Sequence, residues 1–105
     1  MLADCSVMNE RTMPKLQAEI QVQNKLGLHA RPAALLVQLT NKFDSEITIR
    51  KNDMEINAKS ILGIMMLAAE YGSKLLVTAE GDDAEKALKA VQELFAANFE
   101  EHQEE

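Results

Sequence analysis

Apolar and polar side chains alternate strictly from Leu16 to Gln23, and this alternation constrains the fold more than any other feature of the chain. The apolar positions are Leu16, Ala18, Ile20 and Val22, and the polar positions are Gln17, Glu19, Gln21 and Gln23. Because successive side chains of a strand point to opposite faces, the pattern predicts a strand with one buried and one solvated face. Such a strand is typical of a sheet that helices cover on one side only.

The rest of the chain predicts three further strands and three helices. The strands are predicted at 47–50, 54–57 and 74–80, and a turn at Asn52-Asp53 joins the first two in a hairpin. The helices are predicted from Arg31 or Pro32 to Asn41 or Lys42, from Ser60 to about Tyr71 with Gly72 as its stop, and after the acidic Gly81-Asp82-Asp83. The predicted fold is therefore α+β, in the order β-α-β-β-α-β-α, with an antiparallel sheet. Periodicity alone does not exclude a ferredoxin-like strand order.

Length, charge and cysteine content exclude several classes of protein. A chain of 105 residues forms one domain, and its net charge of −6 without a basic stripe argues against binding to nucleic acid or to an anionic membrane. The longest apolar run, 61–69, is far shorter than the roughly 20 residues that span a bilayer, so no membrane insertion is expected. The single Cys5 cannot form an internal disulfide, and no Cys and His have metal-ligand spacing. We predict no metal, no cofactor, no secretory signal and a cytoplasmic location.

The predicted domain spans residues 15–99 between two less regular segments. Residues 1–14 lack periodicity and end in a proline, so we interpret them as a flexible leader in which Cys5 is a tolerated thiol. Met8 and Met13 leave open a later start of translation. Residues 100–105 are interpreted as a solvated acidic tail, in which His102 has no predicted role.

The segment Gly27-Leu28-His29-Ala30-Arg31-Pro32-Ala33-Ala34 carries the chemistry that stands out in this chain. Pro32 is compatible with a first helical turn, so His29 immediately precedes a helix N-terminus, where free N–H groups and the helix dipole favour an anion. A neutral imidazole is a nucleophile, and Arg31 adds a cationic fork suited to phosphate. The segment indicates a phosphohistidine, although a histidine at this position is more often a polar residue at an exposed loop end.

The predicted helix after Ser60 carries apolar residues on more than one face. A two-layer domain buries only one stripe of a helix. If Ile64 and Leu67 face the core, then Ile61, Leu62 and Met65 form an apolar surface patch of the kind that docks a partner. The alternative is a helix that is buried on all sides. Ser60 itself is a candidate N-cap.

Two blocks of the sequence resemble one known family. Gly27-Leu28-His29-Ala30-Arg31-Pro32-Ala33 resembles the active-site signature of the HPr family, the histidine phosphocarriers of the bacterial phosphoenolpyruvate:sugar phosphotransferase system. Ala58-Lys59-Ser60-Ile61-Leu62-Gly63-Ile64-Met65-Met66-Leu67 resembles the family's regulatory-serine segment, at the family's distance from the histidine. The resemblance covers about Lys15 to Phe99. It implies a two-layer open-faced β-sandwich, with strand order 1-4-2-3 and three helices on one face.

The resemblance also implies a function for the site. His29 would accept a phosphoryl group from phosphorylated enzyme I and pass it to a IIA protein, so that the chain is a stoichiometric carrier rather than an enzyme. Arg31 would balance the charge of the phosphoryl group, and the N–H groups of Ala30 and Arg31 would help to hold it. Partners would dock on Ala34, Ile61, Leu62 and Met65. We expect a monomer.

Regulation and branch stay open. Ser60 matches the serine that HPr kinase/phosphorylase modifies in some branches of the family, but a plain helix cap explains it equally well. Leu26 stands where many sugar-system members have Ser or Asn. Residues 24–27 are therefore similar to the nitrogen-related branch, whereas residues 59–61 are similar to the sugar branch.

A serine-phosphorylated corepressor is an alternative function, although those relatives lack the site histidine. A small enzyme with His29 as general base has no second catalytic group at recognisable spacing.

Overall fold

A computed structural model of the chain describes residues 14–100, without the side chain of residue 100. Its strands are β1 Lys15–Gln21, β2 Glu46–Lys51, β3 Met54–Asn57 and β4 Lys74–Glu80. Its helices are α1 Ala30–Thr40, α2 Ile61–Leu67 and α3 Ala84–Ala96, followed by a 3-10 turn at Asn98–Glu100. The predicted element order is confirmed. The interpretations of the leader up to residue 13, with Cys5, Met8 and Met13, and of the tail after residue 100, with His102, lie outside the described residues.

The four strands form one antiparallel sheet in the order β1-β4-β2-β3. This is the order that the family resemblance implies, and it resolves what periodicity left open. Ala18 of β1 and Ile49 of β2 both lie opposite Val77 of the central strand β4. Helix α3 packs against β1 and β4, α2 packs against β3 and β2, and α1 contacts both other helices. All three helices therefore cover one face of the sheet.

The core lies between this sheet face and the helices. Its fully buried members include Ile47, Ile49, Leu75 and Val77 from the sheet and Leu36, Ile64, Val91 and Phe99 from the helices and the final turn. The rings of Phe95 and Phe99 meet edge to face, with centroids 4.8 Å apart. On the opposite face of the sheet, the Gln17 amide donates to the Thr78 hydroxyl at 3.2 Å. In β1 the predicted alternation thus separates a half-buried apolar face from an exposed polar one.

Helices α1 and α2 have boundaries that differ from the sequence prediction. Helix α1 begins at Ala30 and ends at Thr40, at least one residue earlier than predicted at each end, so Pro32 is its third residue and still lies in the first turn. Helix α2 ends at Leu67 instead of Tyr71, and Ala68 adopts a left-handed conformation with φ +53° and ψ +43°. The prediction that Gly72 stops this helix is wrong. Helix α2 ends early because the Ala69 carbonyl accepts the N–H of Leu28, in the loop before α1, at 2.8 Å. This is a tertiary contact that local helix propensity does not predict.

The acidic start of α3 has a role that the helix dipole did not predict. Asp83 precedes α3, but its side chain forms no capping bond to the helix. Its carboxylate instead accepts the N–H groups of Asp44 and Ser45, each at 2.9 Å, and the Ser45 hydroxyl. The hydrogen bond from the Ser45 hydroxyl is the main cause that holds the pKa of Asp83 below its usual range, and the bond from the Asp44 N–H is the next largest. This carboxylate joins the segment before β2 to the start of α3.

Candidate functional site

The turn that leads to His29 is closed by a buried asparagine. The Asn24 amide donates to the Gly27 carbonyl at 2.7 Å, and the Gly27 N–H returns a bond to the Asn24 carbonyl at 3.0 Å. Asn24 is only 1% exposed. Asn24 is a site residue that was not predicted, although an asparagine three residues before a glycine is a typical signal of such a turn.

Gly27 is required by the close approach of two backbone segments. It has φ +71°, and a Cβ atom placed on it would lie 2.5 Å from the Ala69 oxygen and 2.9 Å from Glu70 Cα. Its neighbour Leu28 is buried and donates its N–H to the Ala69 carbonyl at 2.8 Å. The residue immediately before His29 is therefore held against the chain that follows α2.

The same segment after α2 is anchored to the end of β1. The Gly72 N–H donates to the Val22 carbonyl, and the Val22 N–H donates to the Ser73 carbonyl, both at 2.9 Å. Residues 69–73 thus form a support that is bonded both to the chain leaving β1 and to the residue before His29. The position of His29 consequently depends on segments far from it in sequence.

His29 is the N-cap residue of α1. Its backbone is extended, with φ −78° and ψ −168°, and its carbonyl accepts the first helical bond from the Ala33 N–H at 3.0 Å. The imidazole is half-buried and makes no capping bond to a helix N–H. The first amides of a helix have no acceptor within the helix, and in α1 these include the N–H groups of Ala30 and Arg31. Pro32 offers no donor.

The chemistry of this helix end suits an anion on the histidine. Two backbone donors and the positive end of an 11-residue helix meet at His29. Arg31 is exposed in the same first turn and brings a permanently charged guanidinium. The structure therefore places His29, Ala30 and Arg31 together at one helix end, as the sequence predicted.

The second predicted feature is the exposed face of α2. Ile64 and Leu67 are buried, whereas Ile61, Leu62 and Met65 are exposed by 43%, 67% and 45%. The alternative of a helix buried on all sides is wrong. Met66, at 62% exposed, also belongs to this surface and was not predicted, although its spacing of four residues from Leu62 was a signal. We call Ile61, Leu62, Met65 and Met66 the apolar patch.

Two further predicted residues lie on α1 and at the start of α2. Ala34 is half-buried on α1, the helix that packs against α2. Ser60 is the N-cap of α2, because its hydroxyl accepts the Gly63 N–H at 3.0 Å and its carbonyl accepts the Ile64 N–H at the same distance. The cap explains why a serine occupies this position without any modification.

Within residues 14–100, His, Cys, Asp and Glu side chains nowhere gather in threes that could hold a metal ion. None of the helices described above has the length and apolar character needed to cross a bilayer.

The chain combines an open-faced β-sandwich, a histidine at the N-cap position of α1 and an exposed apolar patch on α2, and this combination is typical of the HPr class of phosphocarriers. The family model for the phosphorylation site of the PTS HPr component matches residues 16–97. The chain belongs to the HPr family.

Individual relatives agree with this assignment. Phosphocarrier protein HPr of Treponema pallidum is 48% identical over 82 residues, covering 78% of this chain and 93% of the relative. Phosphocarrier protein NPr of Shewanella violacea is 42% identical over 89 residues, covering 85% and 98%. The crystal structure of an HPr from Thermoanaerobacter tengcongensis has a TM-score of 0.80 at 47% identity, covering 83% of this chain and 98% of that one.

Proposed function

We propose that this chain accepts a phosphoryl group on His29 from phosphorylated enzyme I and donates it to a IIA protein of the phosphotransferase system. The observation that carries the proposal is the placement of His29 as the cap of α1, where two backbone N–H groups lack helical acceptors. Membership of the HPr family supports the same role.

The proposed transfer is a reversible substitution at phosphorus. A ring nitrogen of His29 attacks the phosphorus of the donor, a new P–N bond forms, and the bond to the donor atom breaks with its electron pair. The amides of Ala30 and Arg31 and the Arg31 guanidinium stabilise the charge on the phosphoryl oxygens. A carrier must also release the group, so these contacts favour the transferring state more than the resting phosphohistidine.

The apolar patch is proposed as the docking surface, together with Ala34. Exposed apolar side chains on a small protein commonly mark a binding site. Each partner has to reach His29 and then leave, which suits a small surface with an apolar centre. The same surface would serve enzyme I and IIA in turn, so the chain would bind one partner at a time.

Ser60 is a proposed site of regulation by an HPr kinase/phosphorylase. A phosphate there would add about two negative charges directly before the apolar patch. The charge would oppose docking of partners that cover the start of α2, while the helix would keep an oxygen atom as its cap. The unmodified serine already acts as the cap, so phosphorylation is a second role and not a structural need.

We propose that the chain is a monomer. It would serve either the sugar or the nitrogen branch of the phosphotransferase system. Relatives of both kinds match the chain, HPr at 48% identity and NPr at 42%. Among related structures, one HPr from Thermoanaerobacter tengcongensis is a dimer. Sedimentation of the full chain tests the monomer, and a stable dimer at micromolar concentration would contradict it.

Transfer to a panel of IIA proteins tests the relay. The chain is labelled with phosphoenolpyruvate and enzyme I, separated from enzyme I, and mixed with purified sugar-type and nitrogen-type IIA proteins. We expect the label to leave the chain and appear on one type of IIA at least tenfold faster than on the other. A labelled chain that donates to neither type would contradict the carrier role.

A further inference from the structure

The chain leaves α2 through an unusual residue. Ala68 has φ +53° and ψ +43°, a left-handed conformation that glycine adopts easily and that an alanine disfavours because of its Cβ. Helices often end in this conformation, but the residue there is usually glycine. Something outside the local sequence must therefore stabilise this turn.

Lys51 supplies that support from the end of β2. Its ammonium donates to the Ala68 carbonyl at 2.9 Å and to the Leu67 carbonyl at 3.2 Å. Both oxygens belong to the C-terminal end of α2, where carbonyls lack helical donors and a cation is favoured by the helix dipole. Lys51 is half-buried, so its position is restricted by packing as well as by these bonds.

The turn that Lys51 holds leads directly to the phosphorylation site. Ala69 follows Ala68, is 4% exposed, and accepts the Leu28 N–H at 2.8 Å. Leu28 in turn precedes His29. The residue before the site histidine is thus hydrogen-bonded to Ala69, which directly follows the left-handed turn at Ala68.

We propose that Lys51 is a positioning residue for His29. Its ammonium holds the turn at Ala68, the turn presents the Ala69 carbonyl to Leu28, and Leu28 orients the start of α1 with its cap. The bonds of Lys51 go to the carbonyls of Leu67 and Ala68, so its proposed effect on His29 runs through the backbone of this turn and of Leu28. The consequence for phosphoryl transfer rests on the proposed function, whereas the consequence for Leu28 and His29 does not.

The test compares Lys51→Met, which keeps the apolar stem and removes the donors, with Lys51→Arg, which keeps charge and donors. Lys86→Met, on the exposed side of α3, is the matched control. In Lys51→Met we expect the Leu28 amide to exchange about tenfold faster and the His29 ring signals to shift. Lys51→Arg should restore most of both effects, and Lys86→Met should leave both unchanged.

A second variant separates positioning from general stability. Ala68→Gly removes the Cβ penalty of the left-handed turn, so the double variant Lys51→Met/Ala68→Gly should regain native Leu28 exchange and native His29 signals. If Lys51→Met alone does not fold, the double variant still provides the test of positioning. In phosphorylation by enzyme I, Lys51→Met should lower kcat and leave KM near native, since the apolar patch is intact.

The outcomes are distinct. Leu28 exchange and His29 signals that match those of Lys86→Met would overturn the proposal, as would a uniform loss of protection that Ala68→Gly does not reverse. If the native chain takes no phosphoryl group from enzyme I, the proposed function fails, but the exchange and the His29 signals still decide the role of Lys51.

Discussion

The Leu28 N–H donates to the Ala69 carbonyl at 2.8 Å, and this bond connects the residue before the site histidine with the chain that follows α2. The two residues are far apart in sequence and both are buried. The geometry of His29 therefore depends on how α2 ends. Changes around this contact should affect the site without touching the histidine.

Gly27→Ala should destabilise the fold more than an ordinary glycine substitution. The new Cβ would lie 2.5 Å from the Ala69 oxygen, and the residue would also be strained at φ +71°. We expect the free energy of unfolding to fall by about 2 kcal/mol or more, measured by urea denaturation. Gly72→Ala is the control, because it has φ +88° but no atom within 4 Å of the added Cβ. Equal losses for the two variants would contradict the close approach.

Ser60→Ala should cost the cap of α2. Loss of the bond to the Gly63 N–H is expected to lower the free energy of unfolding by about 1 kcal/mol. Ser60→Asp keeps a capping oxygen and should remain near native stability. Thermal and urea unfolding of the three proteins measures this, and an alanine variant as stable as the aspartate variant would show that the cap contributes nothing.

Asp83→Asn should change how stability depends on pH. The folded carboxyl has a lowered pKa because Ser45 and Asp44 donate to it, so its contribution is fully present above the ordinary carboxyl pKa and is lost as pH falls through the lowered value. Native and variant stabilities should differ at neutral pH and converge in strong acid. Asp82→Asn, at an exposed neighbour, should run parallel to the native curve. A constant gap between native and Asp83→Asn at every pH would contradict the role of this carboxylate.

Leu62→Glu should weaken docking without unfolding the chain. Leu62 is 67% exposed in the apolar patch, so a charge there costs little stability but opposes an apolar contact. We expect KM for phosphorylation by enzyme I to rise about tenfold with kcat nearly unchanged. Met54→Glu, at a 44% exposed methionine on β3, controls for charge alone. An equal rise in KM for both variants would show that the patch is not the docking surface.

Much of this architecture follows from periodicity. Alternation predicted the strands, and apolar residues on more than one face of α2 predicted that some of them are exposed. The N-cap roles at both helix starts follow from local chemistry, since Pro32 and Ser60 are typical of a first turn and a cap. These features depend on residues that are neighbours in sequence, and for that reason they could be predicted.

The features that were missed depend on partners distant in sequence. The run from Ala68 to Tyr71 favours a helix locally, but α2 ends earlier, where Lys51 and Leu28 donate to the carbonyls of Ala68 and Ala69. From sequence, Asp83 is expected to stabilise the dipole of α3, whereas in the fold its carboxylate accepts a hydrogen bond from the segment before β2. Such contacts cannot be predicted from a sequence pattern, because they form only when the sheet and the helices have assembled.

The most direct test of His29 as the phosphorylated residue is the intact mass of the chain after incubation with phosphoenolpyruvate and enzyme I. We expect the native chain to gain a single phosphoryl group that acid removes, because a P–N bond is acid-labile and a serine ester is not. Ser60→Ala should gain the same group and His29→Ala none. An unmodified native chain, in the presence of an enzyme I that phosphorylates a known HPr, or a phosphoryl group retained in His29→Ala, would contradict the assignment of His29 as the phosphorylated residue.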